Sequence, residues 1–384
     1  MTVDRGTPYR WSAQELSGAL GDLGTLLPLA LGAIAVAGLA PAGVLAGFGL
    51  FYVATALIYR LPVPVQPMKA MAAIAMTGAV TPAMLAAGGV LTGVVLLVLG
   101  LTGLITRFAR IVPQSIIAGL QLGLGLALGA VALELMAGHP AIGGVVLAVL
   151  ALMFVAPKLP TALLGVAVAI VLGQVFGVQN AALGAVQTLS LRELWPSVAE
   201  LEGAVSQLVL PQLALTLTNA VLLTALIAGD YFGKEAEHVT TRRLATTSGL
   251  ANIALAPFGA LPMCHGAGGL AAHYRFGARS GAAPLILGLA FLGLALAPAE
   301  IAAMMFAAIP AAGLGALLLF AAGELAISKR LFDSRPSCWP VIAITAGVTA
   351  VFDPFWGLLV GGVAESIRAL LVRLVFGHRT ASGP

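Results

Sequence analysis

The stretch LPVPVQPMK, residues 61–69, sets three prolines, Gln66 and Lys69 between two apolar runs. A second stretch, LPMCHGAGG at 261–269, sets Cys264, His265 and a cluster of small residues in similar surroundings. A metal or enzymatic centre built on Cys264, His265 and His273 has poor geometry, because the adjacent Cys264 and His265 point apart on a helix and His273 lies two turns on. No GxxxxGK[ST] loop occurs, so nucleotide hydrolysis of that kind is excluded. Anion binding is the chemistry these residues suit. Pro62, Pro64 and Pro67 favour an extended piece, after which a helix is expected near Met68 with its unpaired N–H groups aimed back at the break. Cys264, His265 and Gly266 are expected to open a matching helix, with Gly266, Gly268 and Gly269 letting a ligand approach the backbone. Each helix N-terminus carries roughly half a positive charge, and together with Lys69 the two suit an anion rather than a cation. Gln66 adds an amide donor, and Asp22 is a possible structural partner for Lys69.

Other polar insertions stand in apolar runs. The first run, ELSGALGDLGTLLPLALGAIA, holds Asp22 and Thr25, and PQLALTLTNAVLLTALIAGD holds Thr216, Thr218, Asn219 and Asp230. Asn219 in mid-span is a candidate to complete an oxyanion shell, while the threonines can equally bond back to their own helix. Gln121, Glu324 and Glu365 are further insertions, and Glu324 is a candidate proton-binding group.

Residues of this kind can be held at membrane depth only where protein or a water-filled cavity surrounds the broken backbone. The chain supplies that setting: 60% of its 384 residues are hydrophobic and 9% charged, in long Ala- and Leu-rich runs that argue for helices rather than a barrel. Apolar runs lie near 16–37, 41–59, 67–78, 83–105, 113–133, 141–156 and 160–176, and again near 211–229, 243–259, 265–274, 282–297, 310–327, 339–351 and 354–375. The acidic stretch 191–207 between them is expected as an interfacial helix. The fold expected is therefore an all-α polytopic membrane protein of about 14 segments in two inverted repeats of seven, residues 1–190 and 209–377, joined by a linker at 191–208. With both termini cytoplasmic, nearly every Lys and Arg falls on the cytoplasmic side, Arg192 being the clear exception. The net charge of +4 is spread over short loops, which speaks for membrane orientation and against a nucleic-acid partner. ALIYRLPVPVQPMKAMAAIAM and APFGALPMCHGAGGLAAHYRF match in layout, as do RIVPQSIIAGLQLGLGL and FAAIPAAGLGALLLFAA, in the same order in both halves.

Three stretches, ELSGALGDLGTLLPL (15–29), PVPVQPMKAMAAIA (62–75) and GALPMCHGAGGLAAHYRFGARSG (259–281), give the sequence a resemblance to the molybdate transporter family within the sulfate permease superfamily. The resemblance implies the fold of anion and nucleobase permeases, with segments 3 and 10 as half helices. It further implies a core domain of spans 1–4 and 8–11, a gate domain of spans 5–7 and 12–14, elevator-type transport and a homodimer. Carried over, Gln66, Met68 and Lys69 belong to one half-helix site, His265, Gly266, Ala267 and Gly268 to the other, and Asp22, Gly24 and Thr25 face them. The expected activity is secondary active import of molybdate across a bacterial inner membrane, with sulfate or tungstate as competitors and without a cofactor. A nucleobase permease is the rival reading, but it calls for a carboxylate where the second half helix offers histidine and glycines. With few residues after the last span, the regulatory domain common in sulfate permeases is expected to be absent, which favours the molybdate branch. Desolvating a dianion costs more than one lysine and two dipoles offset, so proton co-transport through Asp22, Glu324 or His265 is expected.

Overall fold

The computed structural model describes residues 9–77, 80–108, 113–156, 161–178, 196–298, 304, 307–352 and 354–377. Ser12 starts the first helix, its hydroxyl accepting from the Glu15 amide, and α1 (Ala13–Gly21) and α2 (Leu23–Ala37) follow. The sequence leads one to expect a single span here, but the helical axis bends by 47°. Pro28 inside α2 has no N–H for the carbonyl one turn back, which is the usual cause of such a bend. α3 (Pro41–Tyr59) opens with proline at its first position and ends at Arg60, in the left-handed region at φ 53°. That turn releases the chain into the extended segment 61–65, and the Arg60 carbonyl is taken by the Gly281 amide at 2.9 Å.

A two-residue strand β1 (Gln66–Pro67) and the seven-residue helix α4 (Lys69–Ala75) follow. Then come α5 (Pro82–Thr102), capped by Thr81, and α6 (Gln114–Ala137), α7 (Pro140–Val155) and α8 (Thr161–Val175). The next helix, α9, runs 39 residues from Val198 to Ala236. Ser197 and Glu200 form a reciprocal capping box at its start. The interfacial helix expected at 191–207 is thus, from Val198 onward, the first turns of a longer helix rather than a separate element. Wider π turns interrupt α9 at Ala204–Val209 and Thr216–Leu223. Pro211 lies between them and denies one carbonyl its usual donor.

The remaining elements are α10 (Thr241–Leu255), β2 (Met263–Cys264), α11 (Ala267–Arg275), α12 (Ala282–Ala295), α13 (Ala311–Ala326), α14 (Trp339–Val351) and α15 (Pro354–Gly377). Among the described residues, five helices are long and apolar enough to cross a membrane by length and composition, and the bent α1–α2 pair makes a sixth; five shorter apolar helices accompany them. The protein is a multi-pass membrane protein. α5 packs on α10 and α3 on α12, α6 lies against α13 and α14, and α7 against α8 and α13. α5 and α10 come close because Gly93 faces Gly249: a methyl at position 249 would sit 2.7 Å from the Gly93 carbonyl oxygen. The main apolar core fills the space around α2, α3 and α4, and a separate cluster joins α7, α8 and α13.

β1 and β2 cross antiparallel, Gln66 opposite Cys264 and Pro67 opposite Met263. Here the broken backbone satisfies itself within the bundle. The Met68 amide bonds to the Pro262 carbonyl at 2.8 Å, and the Asn252 side chain both donates to the Met263 carbonyl at 2.5 Å and accepts from its amide at 2.9 Å. His265 and His273 take up the carbonyls of Pro64 and Pro62, each at 2.8 Å. Each of these bonds does the work that water would do outside the bilayer.

Candidate anion-binding site

The crossing of β1 and β2 forms one wall of a cavity completed by Lys69 of α4, Gln121 of α6, Gln212, Leu215, Thr216 and Ala220 of α9, and Gly266 before α11. Gln66, Pro67, Cys264 and His265 line it from the crossing itself. It is narrow, about 20 Å³, which is the space of roughly one water molecule. Lys69 is its half-buried cation, and no carboxylate is among the lining residues described.

The two short helices α4 and α11 present their N-termini differently. Ala70 and Met71 of α4 donate their amides to Oε1 of Gln212, at 2.9 and 3.3 Å, and Gln212 Nε2 donates to Thr216 at 2.8 Å. The expectation that the α4 amides point freely at a ligand is therefore corrected: a glutamine from α9 holds two of them. The start of α11 has no such cap. Its first turn begins at Ala267 after Gly266, no side chain among the described residues bonds to it, and the position where Gly268 would carry a side chain is open space. Cys264 and His265, expected to open this helix, instead lie in and just after β2, because the chain stays extended until Gly266.

Asp22 is not a wall residue but a buried hub. Gln66 Nε2 donates to its Oδ1 at 2.5 Å, the Tyr52 hydroxyl donates to Oδ2 at 2.9 Å, and His273 Nε2 stands 3.9 Å from Oδ2. Among the described residues no ion pair joins Asp22 to Lys69, so the expected pairing is replaced by one with neutral donors. A carboxylate only accepts, which fixes the Gln66 amide nitrogen toward Asp22 and turns its carbonyl oxygen toward Gly266. Glycine is required there: a methyl at Gly266 would overlap Gln66 Oε1, and one at Gly269 would lie 2.5 Å from Asp22 Oδ1.

His265 is fully buried between Phe51 and Tyr59, with ring centroids at 5.1 and 5.5 Å. The Pro64 carbonyl can only accept, so Nδ1 of His265 carries the hydrogen. Nε2 then faces Thr247 at 2.9 Å, and Thr247 meets the Tyr59 hydroxyl at 2.8 Å. His238 donates to the Tyr59 carbonyl at 2.7 Å, at the end of α3. Exchangeable hydrogens thus run from His265 through Thr247 to the Tyr59 hydroxyl, while the His238 bond is to the Tyr59 main chain and does not extend that run.

Of the residues expected at the site, Gln66, Lys69, Cys264, His265 and Gly266 line one cavity. Met68 is buried in the core as the residue before α4, and Ala267 and Gly268 form the first turn of α11 beside the cavity. The side chains of Gly24, Thr25, Asn219 and Glu324 lie outside the described residues. Gln212 is the residue that sequence reasoning missed; a glutamine directly after Pro211 in an apolar run was the available signal.

Residues 14–128 and 204–325 match the family described as "Molybdate transporter of MFS superfamily". The chain belongs to the molybdate transporter family. This is a family of transporters and not of enzymes. The chain is 30% identical to molybdate transporter 2 of Arabidopsis thaliana, over 87% of this chain and 82% of that one. Molybdate transporter 1 of the same plant is also 30% identical, over 88% and 84%. Molybdate transporter 1 of Chlamydomonas reinhardtii is 28% identical, over 92% and 91%. Among solved structures, the transmembrane domain of a cyanobacterium bicarbonate transporter, BicA, superposes with a TM-score of 0.66 at 18% identity, covering 90% of this chain and 97% of that one. Murine Slc26a9, an anion transporter in the inward-facing state, gives 0.68 at 13% identity, covering 97% and 69%. At such low identity these likenesses establish the fold that the family member shares with them.

Proposed function

We propose that this protein is a secondary active transporter that imports molybdate. Family membership carries the reading, and the cavity between the half helices agrees with it chemically. Lys69 supplies the charge, the uncapped first turn of α11 supplies backbone donors, and Gln66 and His265 shape the wall. Asp22 acts by orienting Gln66 and not by touching the anion. Met68 and Cys264 set the backbone around the site, while Gly24, Thr25 and Asn219 stand as further candidates from α2 and α9. Sulfate and tungstate are competing substrates of the same tetrahedral shape. The absence of a carboxylate from the described wall disfavours a nucleobase.

A four-oxygen anion needs more room than the present cavity holds, so binding requires α9 to draw back from the half helices. The π turn at Thr216–Leu223, whose Thr216 and Ala220 line the cavity, is the adjustable segment. The chain forms two inverted repeats of seven spans, the first within residues 1–190 and the second opening with α9 at Val198, so that the linker expected at 191–208 shortens to the residues before Val198, with α4 and α11 as segments 3 and 10. The packing supports that reading: exchanging each span for the one seven places on turns α3 on α12 into α10 on α5, α7 on α8 into α14 on α15, and α6 on α14 into α13 on α7. Spans 1–4 and 8–11 then form a core that moves against a gate of spans 5–7 and 12–14, within a homodimer whose termini are cytoplasmic.

Protons accompany the dianion, with His265 the best placed carrier and Asp22 and Glu324 the other candidates. In proteoliposomes loaded with the purified protein, molybdate uptake is expected to rise with an inward proton gradient and to fall on adding protonophore. Molybdate uptake indifferent to both overturns the coupling; no uptake of any tetrahedral oxyanion overturns the function itself.

A further inference from the structure

Three side-chain amides line the cavity between α4, α9 and the start of α11: Gln66, Gln212 and Gln121. Two of them are pinned. Gln66 Nε2 is held by Asp22, while Gln212 takes the Ala70 and Met71 amides on its carbonyl oxygen and gives its Nε2 to Thr216. Both are committed to the fold. Gln121 of α6 differs: it is only 8% exposed, and its Oε1 is buried with no hydrogen-bond partner among the described residues. A buried amide left without a partner costs stability, and an apolar side chain of similar shape would remove that cost. An amide kept at such a position calls for a partner that arrives from outside the fold.

The helix that carries Gln121 is fixed on its other faces. A methyl at Gly123 would lie 2.5 Å from Thr349 Cβ of α14, and one at Gly125 would lie 2.7 Å from the Ala322 carbonyl oxygen of α13, so α6 sits backbone-close on both helices. Gln121 is thus presented from a firm support to the side where α6 meets α4 and α9 around the cavity. We propose that Gln121 is a ligand of the transported anion. With no partner to fix it, its carboxamide can turn about its last bond and direct the Nε2 hydrogens at an anion oxygen. The inference rests on the transport reading above, in which α6 is span 5 of the gate while Lys69 and the first turn of α11 belong to the core. An anion held by both sets of groups ties core to gate, and Gln121 is the gate's share of that contact.

The test titrates the purified full-length protein with molybdate and with sulfate by calorimetry and follows its thermal unfolding in detergent without either anion. Gln121→Met, unbranched and of similar shape, removes the donor. It is expected to weaken molybdate binding by about ten- to a hundredfold, the loss of one hydrogen bond to a charged group. The unfolding midpoint is expected to stay or rise, because an apolar side chain replaces a polar one that had no partner. A residue that served only the fold would give the opposite pattern, a lower midpoint. Gln121→Glu, which sets a carboxylate toward the anion, is expected to weaken binding further. Wild-type binding that neither substitution weakens, or a Gln121→Met variant less stable than the wild type, overturns the proposal and leaves the transport reading standing. A wild-type protein that binds neither molybdate nor sulfate overturns both.

Discussion

At the scale of single residues, the candidate site divides into groups that line the cavity and groups that hold them. Lys69 is the charge on the cavity wall, and Lys69→Ala is expected to lower molybdate uptake by about ten- to a hundredfold, the worth of one charge-assisted contact, while the protein still reaches the membrane folded. Near-normal uptake by that variant would remove the electrostatic account. Gly266 and Gly268 separate geometry from packing. Gly266→Ala forces its methyl onto Gln66 and is expected to abolish transport and lower the unfolding temperature. Gly268→Ala has open space and is expected to leave that temperature unchanged, with any loss appearing in substrate affinity alone. At this scale the sequence was partly legible. Lys69, Gln66 and His265 stood out because polar groups are costly in a greasy chain, and the structure brings them to one cavity. The partner of Asp22 was not legible. Tyr52 and His273 reach it from α3 and α11, and nothing in the spacing of those residues along the chain announces a shared hub.

At the scale of elements, the account rests on how a broken backbone survives among helices. Pro62, Pro64 and Pro67 announced an extended segment, and the glycines after Pro262 announced its counterpart. That the two would cross as strands β1 and β2, and that Asn252 of α10 would stitch the crossing, depended on contacts between segments far apart in sequence. Asn252→Leu leaves the Met263 amide and carbonyl without that partner and is expected to destabilise the fold by about 2 kcal/mol, read as a lower unfolding midpoint in detergent. Gln212→Leu is expected to act in the same direction by uncovering the Ala70 and Met71 amides. The bend between α1 and α2 was hidden for a related reason. Pro28 was visible in the sequence, but proline within an apolar run is compatible with a straight span or a kinked one, and packing decides which.

At the scale of the whole molecule, hydropathy and charge placement gave the membrane class directly, and the paired packing of α3 with α12 and α5 with α10 is what two inverted repeats would produce. The proposed proton coupling belongs to this scale, because it would tie the site to the field across the bilayer. His265→Asn keeps a side chain that can donate to Pro64 but cannot carry a proton, and it is expected to flatten the dependence of uptake on pH between about 5 and 8. Uptake by that variant that still follows pH would move the coupling to Asp22 or Glu324. The most direct measurement is calorimetric titration of the purified protein with molybdate and with sulfate, repeated for Gln66→Ala and His265→Ala. The account predicts molybdate binding that both substitutions weaken, because both side chains line the cavity between the half helices. Molybdate binding that neither substitution alters would contradict it and place the substrate elsewhere in the fold.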